Sequence, residues 1–278
     1  MPEHTDADLA LARRLERAEG TANAAFVESR AALEPARGAA WIEVAGAYAM
    51  FDGVASPLTQ TFGIGLFEPF LEPEFARVET FFTERGAPTF HEVCELASAP
   101  TRDLIQSRGY SHVEESVVLI RPTAMETERG TSRITVRRIE ETEAPLWART
   151  AAEGWSSELP DMAPFLQDIG IVSARTRGVS CFLAEIDGQP IAAAGLNLVN
   201  GVALLAGAST IPSARKRGAQ RALLQARLSF AAARGIDLAM VVTQPQSASF
   251  RNAERQDFRP VYSRTKWRSP QRTATHTP

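Results

Sequence analysis

The feature that most constrains this chain is an internal repeat. Residues 84–122, ERGAPTFHEVCELASAPTRDLIQSRGYSHVEESVVLIRP, and residues 233–270, ARGIDLAMVVTQPQSASFRNAERQDFRPVYSRTKWRSP, carry the same parts in the same order. Each opens on an Arg-Gly helix stop. A short strand, a polar turn, a short helix, an aromatic residue and a long final strand follow. Gly86 to Gly109 spans 23 positions, and Gly235 to Asp257 spans 22. Upstream of each stop lies a helix, EPEFARVETFFTE (72–84) or AQRALLQARLSFAAA (219–233). Upstream of each helix lies a glycine-containing strand, TFGIGLF (61–67) or VALLAGAST (202–210). Self-similarity on this scale points to two copies of one α/β domain. The length of 278 residues agrees with two domains.

The polar stretch RPTAMETERGTSR (121–133) has no apolar periodicity and reads as the linker. The expected domains are therefore 1–122 and 133–270, with 271–278 as a tail. In the second, alternation and turn residues predict a strand over 134–140 and helices over 141–154 and 161–175. Strands follow over 179–186 and 190–198, joined by an Asp187-Gly188 hairpin turn, and over 202–210. Then come a loop (211–218), a helix (219–234), a strand (238–243), a helix (247–256) and a strand (259–268).

Two cysteines, Cys94 and Cys181, supply no disulfide framework. Four histidines lack metal-ligand spacing, and no metal is expected. The charged, amphipathic N-terminal stretch lacks the apolar core of a signal peptide. No run reaches the 18 apolar residues of a membrane span, so a cytoplasmic location with no membrane partner is expected.

The net charge of −3 hides an asymmetry. Residues 1–122 hold 10 Lys+Arg against 19 Asp+Glu, and residues 123–278 hold 20 against 14. The second half is built to attract an anion. Its most informative stretch is GASTIPSARKRGAQRALLQARL (207–228). A strand runs through Pro212 into Arg215, Lys216, Arg217 and Gly218, and a helix begins. The first N–H groups of a helix lack intrahelical partners, and its dipole is positive there. Gly218 lets an anion approach the backbone without a Cβ in the way. The arrangement suits a pyrophosphate. Neither GxxxxGK[ST] nor GxGxxG is present.

Arg215-x-x-Gly218-x-Gln220, with Pro212 before it and Leu223-Leu224 after it, resembles the R/Q-x-x-G-x-G/A signature of the GNAT N-acetyltransferases. The downstream SFRNAERQDFRPVYSRTKW (249–267) resembles the ending of the same superfamily. The resemblance covers roughly 134–268 and extends weakly over 25–121. It implies a mixed α/β (α+β) fold of two tandem domains, each a mostly antiparallel sheet flanked by helices. It also implies acetyl-CoA, or another acyl-CoA, as co-substrate. Arg215, Lys216, Arg217, Gly218, Ala219 and Gln220 would then hold the pyrophosphate. The strand edge at Ala208, Ser209, Thr210 and Ile211 would pair with the pantetheine amides and supply an oxyanion N–H. Ser249 or Asn252 would contact the pantetheine arm, with helix capping as the plainer role.

The signature departs from the family at Gln220, where Gly or Ala is usual. The common general-acid tyrosine falls on Ala253, and the glycine four residues later is Asp257. The first copy lacks the cradle. Gly63 to Gly86 is 23 residues, against 28 from Gly207 to Gly235. EPFLEPEF stands where the loop should be, and acidic residues at a helix start repel phosphate. The first copy is expected to be a non-catalytic scaffold.

Acyl transfer to an amine needs a neutral amine, oxyanion donors and a proton for the leaving thiolate. Glu153 and Glu158, in the region that covers the acceptor, are candidates to take a proton, with a solvated helix end as the alternative. Tyr262 is the candidate donor, or else a packed strand aromatic. Trp155 is a candidate pocket wall, with core packing as the favoured alternative, and Cys181 reads as a buried strand residue. No Ser/His/Asp set is visible, which favours direct transfer. The partner is then a small-molecule amine, and the chain a monomer or homodimer. Two other classes stay open. Residues 210–268 hold 12 Lys+Arg against 3 Asp+Glu, which a nucleic-acid binder would also show, although no such motif is present. A silent acyl-CoA-binding or regulatory protein fits the absent tyrosine.

Overall fold

A computed structural model describes residues 6–124 and 133–270. The elements along the chain are α1 (Asp6–Leu33), β1 (Ala40–Val44), β2 (Ala47–Phe51), β3 (Gln60–Phe62), α2 (Glu72–Thr83), β4 (Phe90–Cys94), α3 (Ala99–Ser107), β5 (Ser111–Pro122), β6 (Thr135–Arg138), α4 (Ala144–Gly154), α5 (Ala163–Arg175), β7 (Val179–Ile186), β8 (Gln189–Val199), β9 (Val202–Thr210), α6 (Ala219–Ala232), β10 (Leu238–Thr243), α7 (Ala248–Glu254) and β11 (Arg259–Arg268). The linker expected at 121–133 starts later, because Arg121 and Pro122 still belong to β5. Residues 125–132, the tail at 271–278, His4 and His276 lie outside the described residues. The strand expected over 61–67 stops at Phe62, because Gly63 and Gly65 turn the backbone at φ 80° and 68°.

The chain divides into two compact units that are not successive stretches. The first combines residues up to Leu119 with Thr243–Arg255 and the residues from Pro260 on. Its strands lie in the order β1-β2-β3-β4-β11-β5. β11 runs antiparallel to β4, from Arg264 opposite Cys94 to Arg268 opposite Phe90. Two contacts explain why this last strand joins the first unit rather than the 133–270 stretch. Arg264 is buried and ion-paired to Glu16 (2.6 Å) and Glu19 (2.7 Å) of α1. Trp267 packs against the core of Phe70, Phe75, Phe81, Phe82 and Ile105.

The second unit holds Ile120–Val242 and Gln256–Arg259. Its strands lie in the order β10-β9-β8-β7-β6, and only the β9–β10 pair is parallel. The sheet is thus mostly antiparallel and flanked by helices, as expected. Two-residue turns at Asp187-Gly188 and Asn200-Gly201 have positive φ at all four positions, the geometry that matches strand twist in a hairpin. α4 packs Trp147 and Ala148 onto Cys181, Leu183 and Ala193 of the sheet, and Trp147 Nε1 donates to Phe182 O (3.1 Å). Among the described residues no helix is long and apolar enough to cross a membrane.

Candidate functional site

β9 carries the site. It pairs with β10 only at Val202, Ala203 and Leu204, so residues 205–210 continue without a β10 partner. On its other side the register with β8 shifts, with Ala193 opposite Ser209 but Gly195 opposite Ala206. The extra residue is a β-bulge, and Gly207 within it sits at φ 61°. Ala206 and Gly207 are exposed and Ala208 is half-buried. A bulge frees backbone groups from the ladder, and here it does so on an open edge. The carbonyl of Gly195 at this bulge accepts from Arg227 Nη1 of α6 (3.0 Å). Arg227 is buried, and burial pushes its guanidinium down to about 10.

The strand then turns into the helix. Ile211 N–H donates to Ile191 O (2.9 Å), and Pro212–Ala214 form one 3-10 turn. Lys216 adopts φ 62° and Gly218, the N-cap of α6, φ 92°. Gly218 has no side chain to cap the helix, and the space where a Cβ would stand is open. Lys216, Arg217, Gly218 and Gln220 are exposed, whereas Ala219 is buried. Uncapped first-turn N–H groups beside two exposed cations make a candidate cradle for an anion. Gln220 does not fill it, because its Nε2 donates to Thr210 Oγ1 (2.8 Å) at the end of β9.

Arg215 departs from the sequence expectation. Its backbone lies on the cradle loop, but its guanidinium is spent elsewhere. Nη1 and Nη2 donate to the two carboxylate oxygens of Glu158 (2.8 and 3.0 Å), Nη2 to Gly154 O (2.9 Å) and Nε to Thr210 O (3.2 Å). The forked guanidinium beside Glu158, helped by Ser157 Oγ, holds that carboxyl down at about 2. A group so acidic and so paired is a poor base near neutral pH. The end of α4 is also docked directly on β9. Ser209 Oγ donates to Ala151 O (2.8 Å), and Gly154 lies so close that an added Cβ would stand 2.3 Å from Ser209 Oγ. Glu153 is exposed on the last turn of α4, and Trp155 is half-buried just after it.

Tyr262 is engaged elsewhere in the fold. It belongs to the first unit, is buried, and its hydroxyl donates to Glu16 Oε1 (2.8 Å). Burial, with the Glu16 carboxylate beside it, holds the phenol well above its ordinary value. Its one proton is engaged with Glu16, which favours the packed strand aromatic over the donor. Ser249 and Asn252 lie exposed on α7, which also groups with the first unit. Asn252 Oδ1 accepts from Arg255, and the cap of α7 is Ser247, which accepts from Phe250 N–H (3.0 Å). Cys181 is a buried strand residue, as read, with its thiol pushed up to about 12 by burial. Among the described residues no group of three or more His, Cys, Asp or Glu could hold a metal.

Among the described residues of the first unit, the loop before α2 packs largely inward and its helix start is acidic. Ile64, Leu66 and Phe70 of its loop are buried. Ser98 N–H donates to Gly65 O (2.9 Å), and Thr101 Oγ1 donates to Phe70 O (3.1 Å). Glu72 and Glu74 fill the first turn of α2, where Glu74 Oε2 accepts from Leu71 N–H (2.9 Å).

A bulged strand that outruns its parallel neighbour and leads into a glycine-opened helix marks an α/β domain with a candidate anion site. The particular family follows from comparison. Residues 136–258 match the model of the Acetyltransferase (GNAT) family, so this stretch is similar to that family. Among solved structures, a GCN5-related N-acetyltransferase from Kribbella flavida is similar at 17% identity and TM-score 0.62, over 89% of this chain and 95% of that one. A tandem GNAT protein from the clavulanic acid biosynthesis pathway is similar at 11% identity and TM-score 0.59, over 82% and 79%. A GCN5-related N-acetyltransferase from Sphaerobacter thermophilus is similar at 14% identity and TM-score 0.51, over 75% and 71%. At these identities the likeness is one of fold. No curated protein matches the chain.

Proposed function

We propose that the chain is an acyl-CoA-dependent N-acyltransferase that moves an acetyl group from acetyl-CoA to the amine of a small molecule. One observation carries the reading. Within one unit, the open, bulged edge of β9 leads straight into an uncapped helix N-terminus flanked by Lys216 and Arg217. Acetyl-CoA supplies the activated acyl thioester. The residues fit it in kind, with backbone N–H groups of 215–220 and the two cations for pyrophosphate, and open space at Gly218 for close approach.

The edge from Ala208 to Ile211 offers backbone partners for amides, and the bulge at Gly207–Ala208 offers an N–H for developing oxyanion charge. Transfer forms a C–N bond, breaks a C–S bond and moves one proton from nitrogen to sulfur. Glu153 is the carboxylate assigned to receive the amine proton through water. The 133–270 copy is read as catalytic and the 1–122 copy as scaffold, in a cytoplasmic monomer or homodimer.

A second reading, acyl-CoA binding without transfer, is favoured by the engagement of Tyr262 and Glu158 in structural pairs. A nucleic-acid surface is disfavoured, because Arg227 and Arg264 of the basic stretch are buried and Arg215 is paired. Isothermal titration with acetyl-CoA, followed by thiol release over an amine panel, separates the readings. No binding removes both acyl-CoA readings, and binding without thiol release leaves the second.

A further inference from the structure

Arg215 touches three things at once: the end of β9 at Thr210 O, the end of α4 at Gly154 O, and Glu158 in the segment after α4. These are the two sides of the proposed site. The strand end is the donor side. The α4 terminus and residues 155–159 are the acceptor side. Apart from Arg215, residues 155–159 are held by local bonds, among them Trp155 N–H to Ala152 O (3.1 Å), Ser156 N–H to Glu153 O (3.1 Å), Glu158 N–H to Trp155 O (3.1 Å), Leu159 N–H to Trp155 O (2.8 Å) and Met162 N–H to Leu159 O (3.1 Å). Glu158 and Leu159 are exposed. Turns with so little burial open readily unless something clamps them.

We infer that Arg215 is a positioning residue that brackets the acceptor segment 154–159 to the end of β9, rather than a ligand of the donor's phosphates. The inference rests on the acyltransferase reading for the names of the two sides, but the bracket itself is independent of it. The planar fork suits this task. It binds the carboxylate through two parallel bonds while the same Nη2 also reaches a carbonyl, a geometry that a lysine cannot reproduce. Phosphate binding at the cradle then falls to the backbone, Lys216 and Arg217. The acceptor segment keeps one geometry whether or not donor is bound.

The test compares Arg215→Ala, Arg215→Lys and Glu158→Ala with the double variant Lys216→Ala/Arg217→Ala in the full-length protein. Two quantities are read: amide hydrogen exchange of residues 154–160, and the affinity for coenzyme A by calorimetry. The bracket predicts faster exchange, about threefold in Glu158→Ala and about tenfold in Arg215→Ala, as expected for an exposed ion pair with added carbonyl bonds. Arg215→Lys behaves like Arg215→Ala in exchange, because charge without the fork does not restore the clamp. Coenzyme A affinity stays within about threefold of the parent in all three, whereas Lys216→Ala/Arg217→Ala shows the reverse pattern. Unchanged exchange in Arg215→Ala and Glu158→Ala overturns the bracket. So does a loss of coenzyme A affinity in Arg215→Ala that Arg215→Lys repairs, since that marks a phosphate ligand. If the parent protein binds no coenzyme A, the acyltransferase reading fails, and the exchange data still decide the bracket.

Discussion

Gly154, the last residue of α4, lies against Ser209 of β9 with no room for a methyl group. A Cβ there would stand 2.3 Å from Ser209 Oγ, 2.5 Å from Ser209 Cβ and 2.9 Å from Thr210 N. Two of these atoms are backbone or backbone-linked and cannot swing away. Gly154→Ala should therefore push α4 off the strand, costing ~1–3 kcal/mol as overpacking does. Urea denaturation checks the stability. Gly178→Ala, where the Cβ would meet nothing within 4 Å, is the comparison for positive-φ strain without a clash.

The cradle makes its own prediction. Lys216 and Arg217 are exposed beside the uncapped start of α6. Replacing both by alanine should weaken acetyl-CoA binding by about tenfold or more, since each removes a charge near a bound anion. Raising the salt concentration should weaken the parent more than the variant, because exposed charges are screened. Calorimetry at two ionic strengths measures both.

Much of the cradle was legible in sequence, because its elements are contiguous: a strand, a proline, a cluster of cations, a glycine and a helix. The hairpin at Asp187-Gly188 was legible for the same reason. Long-range pairing was not. Arg215 reads as a phosphate ligand until Glu158, 57 positions away, is seen to occupy it. Tyr262 reads as a proton donor until Glu16, 246 positions away, accepts its hydrogen bond. β11 alternates in a way that suits either sheet, and only the buried carboxylates facing Arg264 decide which one it joins. Gly207 left a local trace, since an isolated glycine in a strand marks a bulge.

Gln220 separates a parked side chain from a crowding one. Its amide is turned back onto Thr210 Oγ1 and leaves the cradle open. Gln220→Ala should leave acetyl-CoA affinity within about threefold of the parent, with ~1 kcal/mol lost in stability from one part-buried hydrogen bond. A large gain in affinity on shortening this side chain would mean that it obstructs the phosphates.

Tyr262→Phe tests whether this residue acts as the proton donor or only packs. The change removes the donor to Glu16 Oε1 inside the first unit. Arg264 Nε still donates to that oxygen (2.6 Å), so the loss is one buried hydrogen bond to a charged group, ~1.5–3 kcal/mol. Stability should fall by that amount, while the pH profile of any thiol release stays where it was. A lost alkaline limb in that profile would restore Tyr262 as an acid.

The same cluster makes stability depend on pH. Glu16 and Glu19 share one guanidinium, Arg264, so the buried set carries an excess carboxylate. Burial, opposed by Arg264 and reinforced by Glu19, pushes Glu16 up to about 7 from 4.5. A raised carboxylate binds its proton more tightly in the folded chain than in the unfolded one. Its contribution is therefore fully present below about 4.5 and is lost as pH rises through about 7. Between pH 5 and pH 8 the parent should lose ~1–3 kcal/mol from this group. Glu16→Gln keeps the shape without the proton and should show a flatter profile over that window, crossing the parent as pH rises. Urea midpoints at pH 5, 6.5 and 8 measure the difference. Parallel profiles for the two proteins would mean that Arg264 keeps Glu16 ionised throughout.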